Sequence, residues 1–169
     1  HGLLGSGEEV RAGYNGVIAN THRLIFFATN LPGMCEEDLP VVLRALVDMS
    51  AFQGVGDRLQ QGMVQWVLLA RAMRERLATL PEVTSRNIQV NRQELFYSGI
   101  SQGGIFGGTF MAVTPDITRG HLGVPGNNYS TLLHRSTDFT SYFNLIRGAY
   151  PSSLDQAVLL SLTQLNWDA

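Results

Sequence analysis

The sequence feature that most constrains the fold is the pentapeptide Gly99-Ile100-Ser101-Gln102-Gly103, which fits the pattern G-x-S-x-G. The run before it, Leu95–Ser98, has strand composition, and a small, apolar, glycine-rich segment that can form a helix follows. A strand, a sharp turn and a helix form the context in which this pattern lifts a serine hydroxyl clear of the strand ends. We therefore predict that Ser101 is a nucleophile held in a strained turn.

The residues around Ser101 suit this prediction. Side chains at Gly99 and Gly103 would collide with the neighbouring strand and helix, so glycine is needed at both positions. The backbone N–H of Gln102 would lie at a helix N-terminus, where it can stabilise an oxyanion.

A phosphate-binding loop is the alternative interpretation of the same stretch, since Gly99, Ser101 and Gly104 imitate the spacing of G-x-G-x-x-G. The middle position of that pattern must be a glycine, without a side chain, so that the backbone can approach a pyrophosphate. Ser101 occupies it here, which disfavours a dinucleotide or phosphate site.

Composition limits the function classes further. The 169 residues suffice for one domain with a sizeable core, and the net charge of −2 predicts no nucleic-acid partner. No apolar run reaches the length of about 20 residues that a membrane helix requires. The single cysteine, Cys35, excludes an internal disulfide and a cysteine metal cluster, and we predict neither metal nor cofactor. The compartment stays open, with a secreted or periplasmic bacterial location among the options.

Helical and strand patterns alternate along residues 1–126, which predicts an α/β class with a mostly parallel sheet flanked by helices. The expected strands are Arg23–Thr29, Leu95–Ser98 and Thr118–Val124, the first and last buried on both faces. Helices are expected before the first strand, from Glu36, from Asp57 and after Ser101.

From residue 127 onward the pattern becomes purely helical. Phe139, Phe143 and Ile146 predict one helix, and a second apolar stripe predicts another whose apolar face needs cover; its members are Leu154, Val158, Leu162 and Leu165. We interpret 1–126 as the core portion and 127–166 as a helical lid or cap inserted into it, expected to lie near Ser101.

The pattern around Ser101, the alternation of elements and the upstream His1-Gly2 pair together resemble the α/β-hydrolase superfamily. The resemblance implies a serine esterase or lipase whose oxyanion is held by the backbone N–H groups of Leu3 and Gln102. It also implies that 127–166 covers an apolar acyl site lined by Phe139, Tyr142 and Phe143.

The chain departs from that family in its triad. Family members carry the acid and then the histidine after the serine, whereas only His121 and His134 follow Ser101 here. We interpret His121 as a buried structural residue of its strand and assign neither histidine as the base. Asp116 and Asp138 are interpreted as helix-end and cap residues.

The resemblance also implies a strand between Leu24–Thr29 and Leu95–Ser98 that this chain lacks. We therefore expect an incomplete hydrolase fold that needs a partner. That partner is the remainder of the hydrolase domain, a further segment or a second chain, which supplies the missing strand, the acid and the histidine.

The leading hypothesis is hydrolysis of a carboxylic ester, of lipid-like or polyester type, through an acyl-enzyme on Ser101. A peptidase or an acyltransferase would use the same parts. The rival hypothesis is a non-catalytic fragment or pseudoenzyme that keeps the turn but lacks the triad, and a plain α/β binding domain is the third.

Overall fold

The computed structural model describes residues 1–168, which form eight α-helices and two β-strands. The helices are α1 (Gly13–His22), α2 (Leu39–Val47), α3 (Gln53–Arg76), α4 (Pro81–Thr84), α5 (Gln102–Val113), α6 (Tyr129–Arg135), α7 (Thr140–Ala149) and α8 (Ser153–Asp168). The strands are β1 (Phe96–Ile100) and β2 (Arg119–Gly123). Short 3₁₀ turns occur at Gly7–Arg11, Glu36–Asp38, Met49–Ala51, Leu77–Thr79 and Thr137–Phe139.

The predicted mostly parallel sheet flanked by helices is wrong, because the structure is 65% helical and its small sheet has only two strands among the described residues. The run Arg23–Thr29 forms no strand. A strand needs a neighbour that accepts and donates its backbone hydrogen bonds, and no described segment pairs with this run. Leu24 and Ile25 are 37% and 45% exposed, so the predicted burial on both faces is also wrong.

The strand–helix–strand unit around Ser101 forms as predicted. β1 and β2 pair in parallel, in a register that runs from Phe96 opposite Arg119 to Ile100 opposite Gly123. α5 connects the two strands and packs against both of them. β2 is mostly exposed rather than buried, which corrects the prediction for Thr118–Val124.

The longest helix, α3, joins this unit to the rest of the core. The helix predicted from Asp57 forms within α3, and its residues Leu59, Trp66 and Ala70 are buried. The Trp66 ring meets the Phe110 ring edge-on at a centroid distance of 5.4 Å, and its indole N–H donates to the Asn30 carbonyl at 3.1 Å. α3 is thereby attached both to α5 and to the loop that precedes α2.

The C-terminal helical segment, 127–166, contains α6, α7 and most of α8. It packs on α2 through α7 and contributes to the same apolar cluster as residues before 127. We predicted that the apolar stripe of the last helix would be covered by other parts of the protein, and this prediction is wrong. The residues of the stripe are 49–71% exposed; they are Leu154, Val158, Leu162 and Leu165. The face of α8 that is buried instead consists of Gln156, Leu160 and Thr163.

The rotation of α8 follows from its polar contacts as well as its apolar ones. The Gln156 side-chain amide donates to the Tyr150 carbonyl at 2.7 Å, which draws that face inward.

None of the described helices is long and apolar enough to cross a membrane.

Candidate active site

Ser101 lies in the turn between β1 and α5 with φ 56° and ψ −116°. These angles lie outside the regions that L-residues ordinarily occupy. The Ser101 N–H donates to the Gly123 carbonyl at 3.0 Å, and the Ser101 carbonyl accepts from the Ile105 N–H at 3.0 Å. The prediction of a tight strand-to-helix turn with unfavourable angles is confirmed, and the two hydrogen bonds hold Ser101 in that conformation.

The two glycines of the pattern lie where backbone segments approach each other closely. A Cβ on Gly99 would collide with the Gly103 carbonyl oxygen and the Tyr97 hydroxyl. A Cβ on Gly103 would come within 3.3 Å of the His1 backbone nitrogen and oxygen. The turn and the N-terminal loop therefore touch at Gly103.

The next glycines bring α5 close to the strands. A Cβ on Gly104 would collide with the Gly123 carbonyl oxygen, and one on Gly107 would lie 2.6 Å from Leu122 Cδ2. Gly108 faces open space, so the close approach of α5 to the strands needs glycine at 104 and 107 but not at 108.

Three hydrogen bonds of His1 fix the N-terminal loop, and one of them joins it to the Ser101 turn. The Gly103 N–H donates to the His1 carbonyl at 3.0 Å, and the Leu31 N–H donates to His1 Nε2 at 2.9 Å. Because a backbone N–H can only donate, Nε2 accepts and the ring proton lies on Nδ1, which is 2.9 Å from the Gly2 carbonyl. Both ring nitrogens of His1 are therefore hydrogen-bonded within the protein, and the ring is not free to act as a base.

The predicted oxyanion donors lie on two segments that are joined by the Gly103–His1 hydrogen bond. Leu3 follows the His1-Gly2 pair in the loop that contacts Gly103, and Gln102 is the first residue of α5. Within residues 1–168 neither backbone N–H donates a hydrogen bond to the protein. The first N–H groups of a helix lack intrahelical partners and attract negative charge. Among the described residues, both N–H groups therefore lack a protein acceptor.

The Gln102 side chain links the Ser101 turn to the C-terminal helical segment. Its amide oxygen accepts from the Tyr129 hydroxyl at 3.0 Å, and Gln102 is 1% exposed. Burial raises the pKa of Tyr129 well above its usual range, so the phenol stays protonated and donates. Among the described residues the buried Gln102 Nε2 has no acceptor.

An apolar cavity of about 30 Å³ lies next to this link. Its wall combines the N-terminal loop, α2, the start of α3 and the C-terminal helical segment, and consists of Leu3, Leu4, Met34, Val42, Ala45, Leu46, Phe52, Val55, Tyr129, Leu133, Phe139, Tyr142 and Trp167. Two of the predicted substrate-lining residues, Phe139 and Tyr142, therefore meet at one cavity. Ser101 does not line the cavity.

The third predicted lining residue, Phe143, lies elsewhere. Its ring packs on the His134 ring at a centroid distance of 4.2 Å and lies beneath the Arg147 guanidinium at 5.2 Å. Because it lies one position after Tyr142 on α7, it faces a different side of the helix.

The histidines that follow Ser101 in the sequence do not contact it. His121 is exposed on β2, where its Nδ1 lies 3.3 Å from Ser98 Oγ, which corrects the prediction of a buried residue. The His134 ring packs against the Phe143 ring. Asp116 is held by Arg71 and Arg74. Among the described residues, therefore, no histidine is placed as a base for Ser101.

A buried polar cluster beside the cavity was not predicted from the sequence. Asp38, fully buried, accepts from the Gly33 and Cys35 N–H groups, the Cys35 thiol at 2.9 Å and Arg58 Nε at 2.6 Å. Burial would raise the pKa of Asp38, but these hydrogen bonds outweigh it and hold the pKa below its usual value. The available signal was the Cys-x-x-Asp spacing at a helix start, which imitates a capping box.

The same cluster makes the only cysteine unreactive. Burial, reinforced by the Asp38 carboxylate, raises the pKa of Cys35 to about 11. The thiol is thus a hydrogen-bond donor that fixes the loop ahead of α2, and not a nucleophile.

Comparison of the chain with protein-family models, with curated proteins and with solved structures found no match.

Proposed function

We propose that this chain is a serine hydrolase that cleaves carboxylic esters through an acyl-enzyme on Ser101. The observation that carries the proposal is the backbone of Ser101, which holds a non-glycine residue at φ 56° and ψ −116° between a strand and a helix. Such strained residues cost about 1–3 kcal/mol and concentrate at functional sites. The resemblance of this turn to the nucleophile elbow of α/β-hydrolases supports the same chemistry.

In the proposed reaction Ser101 Oγ attacks the ester carbonyl carbon, and the carbonyl electron pair moves onto the oxygen. The N–H groups of Leu3 and Gln102 stabilise that oxyanion. Collapse expels the alcohol, which takes up the proton that Ser101 lost to a general base, and water then hydrolyses the acyl-enzyme. The base is a histidine oriented by an acid, and both come from outside the described residues.

The open edge of the sheet supports a partner that brings these groups. β1 is hydrogen-bonded to β2 on one side, and no other described strand pairs with it. Unpaired strand edges are ready templates for another strand. Exposed apolar side chains of Phe96 and Ile100 lie on β1 itself. We therefore retain the proposal that the remainder of the hydrolase domain, as a further segment or a second chain, pairs here.

A non-catalytic role, as a fragment or a pseudoenzyme, is the second candidate. It is favoured by one observation, the lack of a histidine in contact with Ser101 within residues 1–168. In that case the strained turn would persist without a chemical step.

A fluorophosphonate probe distinguishes the two candidates. Because the proposed base comes from a partner, the probe is applied to the protein in complex with that partner. We expect labelling on Ser101, as located by peptide mass mapping, and none in the Ser101→Ala variant. Ser98→Ala is the matched control, since Ser98 is an exposed serine three residues earlier on β1, and its removal should leave labelling unchanged. A folded wild-type complex without adduct on Ser101 would support the non-catalytic role.

A further inference from the structure

The His1 ring joins the N-terminal loop, residues 1–7, to the segment 30–36 through a hydrogen bond that only a neutral imidazole can make. The Leu31 N–H donates to His1 Nε2 at 2.9 Å, and among the described residues Nε2 is its only acceptor. Leu31 is 1% exposed, so a lost partner is not replaced by water while the segment stays in place. Protonation of Nε2 turns the acceptor into a second donor that faces the Leu31 N–H. A charged ring is therefore incompatible with this contact.

The other described hydrogen bonds between these two segments use no titratable group. The Gly7 N–H donates to Asn30 Oδ1 at 2.7 Å, and the Glu36 N–H donates to the Gly5 carbonyl at 3.0 Å. Imidazole is the side chain that ordinarily changes charge between pH 5 and 8. His1 therefore supplies the pH-dependent part of this contact.

The other charged and titratable groups around the ring have partners of their own or titrate outside this range. On the elements that surround the ring they are Glu8, Glu9, Arg11, Cys35, Glu36, Glu37, Asp38, Arg58 and Tyr97. The Glu9 carboxylate accepts from the Gly2 N–H at 3.0 Å, and Asp38 is paired with Arg58. Carboxyl groups ordinarily titrate near pH 4. Burial raises the pKa of Tyr97 well above its usual range, so its hydroxyl stays neutral.

We propose that His1 is a pH-sensitive switch, in which the neutral ring holds the N-terminal loop on Leu31 and protonation releases it. Only the released form can take up the proton on Nε2. With the ordinary imidazole pKa of about 6.5, its population then rises about tenfold per pH unit below that value, and about thirtyfold by pH 5.

The release also affects the contact between the loop and the Ser101 turn. The Gly103 N–H donates to the His1 carbonyl at 3.0 Å, and Leu3 follows two positions later. On the proposed function, acid pH therefore displaces one of the two oxyanion donors. The release itself depends on no chemistry at Ser101.

Hydrogen exchange of the full chain, followed by NMR between about pH 7.5 and about pH 5, tests the release directly. We expect the protection factor of the Leu31 amide to fall at least tenfold over this range. The Leu59 amide, in the buried part of α3, should keep its protection within twofold, which shows that the fold as a whole is unchanged.

Two glutamine variants isolate the ring. His1→Gln keeps a neutral acceptor and a neutral donor, so Leu31 protection should vary less than twofold over the same range. His22→Gln is the matched control, because His22 is exposed at the end of α1, and it should retain the wild-type pH dependence. The backbone nitrogen at position 1 is the same in wild type and His1→Gln, so its titration cannot produce the difference.

The tautomer of His1 provides a measurement on wild type alone, which decides the matter if His1→Gln does not fold. Long-range proton–nitrogen spectra at neutral pH should show a proton on Nδ1 and none on Nε2. A proton on Nε2 at neutral pH, a Leu31 protection factor that does not change with pH, or the same pH dependence in wild type and His1→Gln would overturn the switch. These outcomes leave the proposed nucleophile untouched.

Discussion

Replacing Ser101 by glycine should make the protein more stable, although it removes the proposed nucleophile. The Ser101 backbone has φ 56° and ψ −116°, and a side chain at such angles costs about 1–3 kcal/mol. Glycine relieves that cost but loses about 0.5–1 kcal/mol more conformational entropy on folding. The expected net gain is therefore roughly 0–2.5 kcal/mol, from the difference of these two effects.

Urea denaturation of wild type, Ser101→Gly and Ser101→Ala measures this difference. Ser101→Ala keeps the Cβ and the strain, so its stability should lie within about 1 kcal/mol of wild type. Ser98→Gly is the control, since Ser98 lies in regular strand and glycine there should destabilise by about 0.5–1 kcal/mol. If Ser101→Gly unfolds at the same or lower urea concentration than Ser101→Ala, the turn is not strained and our reasoning fails.

The remaining predictions concern packing and pH. Gly104→Ala should destabilise by about 1–3 kcal/mol because its Cβ meets the Gly123 carbonyl, while Gly108→Ala, which faces open space, should be neutral or stabilising in urea melts. The hydrogen bonds to Asp38 lower its folded pKa, so the stability it contributes is complete above about pH 4 and is lost as the pH falls through that pKa. Asp38→Asn should therefore flatten the acid side of a plot of Tm against pH; an unchanged slope would contradict the assignment. Arg58→Met, which removes the cationic partner of Asp38 but keeps its hydrogen bonds from Gly33 and Cys35, should cost about 1–3 kcal/mol.

The geometry around Ser101 could be predicted from the sequence because it depends on local steric rules. Glycine at 99 and 104 is dictated by backbone atoms a few residues away or on the adjacent strand, and such requirements leave a short pattern. The flanking strand and helix, β1 and α5, follow from the same stretch of chain.

The sheet could not be predicted in the same way, because a strand depends on its partner. The run Arg23–Thr29 is apolar enough for a buried strand, but apolar composition does not provide the hydrogen-bonding neighbour. Its side chains are therefore left partly exposed, and the structure is mainly helical instead of α/β.

The positions of the residues near the candidate site likewise depend on tertiary contacts. Phe139, Tyr142 and Phe143 are all aromatic and close together in sequence, yet only the first two line the cavity. Phe143 faces another side of α7 and packs on His134. The polar cluster at Asp38 depends on Arg58, twenty positions later on another helix, and no local pattern reveals that pairing.

The central claim is that Ser101 forms a covalent acyl-enzyme, and mass spectrometry of the protein after brief reaction with p-nitrophenyl butyrate tests it most directly. The proposed base for Ser101 comes from a partner, because no described histidine contacts Ser101, so the protein is assayed in complex with that partner. We expect a butyryl adduct on the Ser101 peptide at brief reaction times, and its loss in Ser101→Ala. The initial burst of p-nitrophenol should match the adduct one for one. Absence of an adduct on folded protein, or an adduct that persists in Ser101→Ala, would contradict the account.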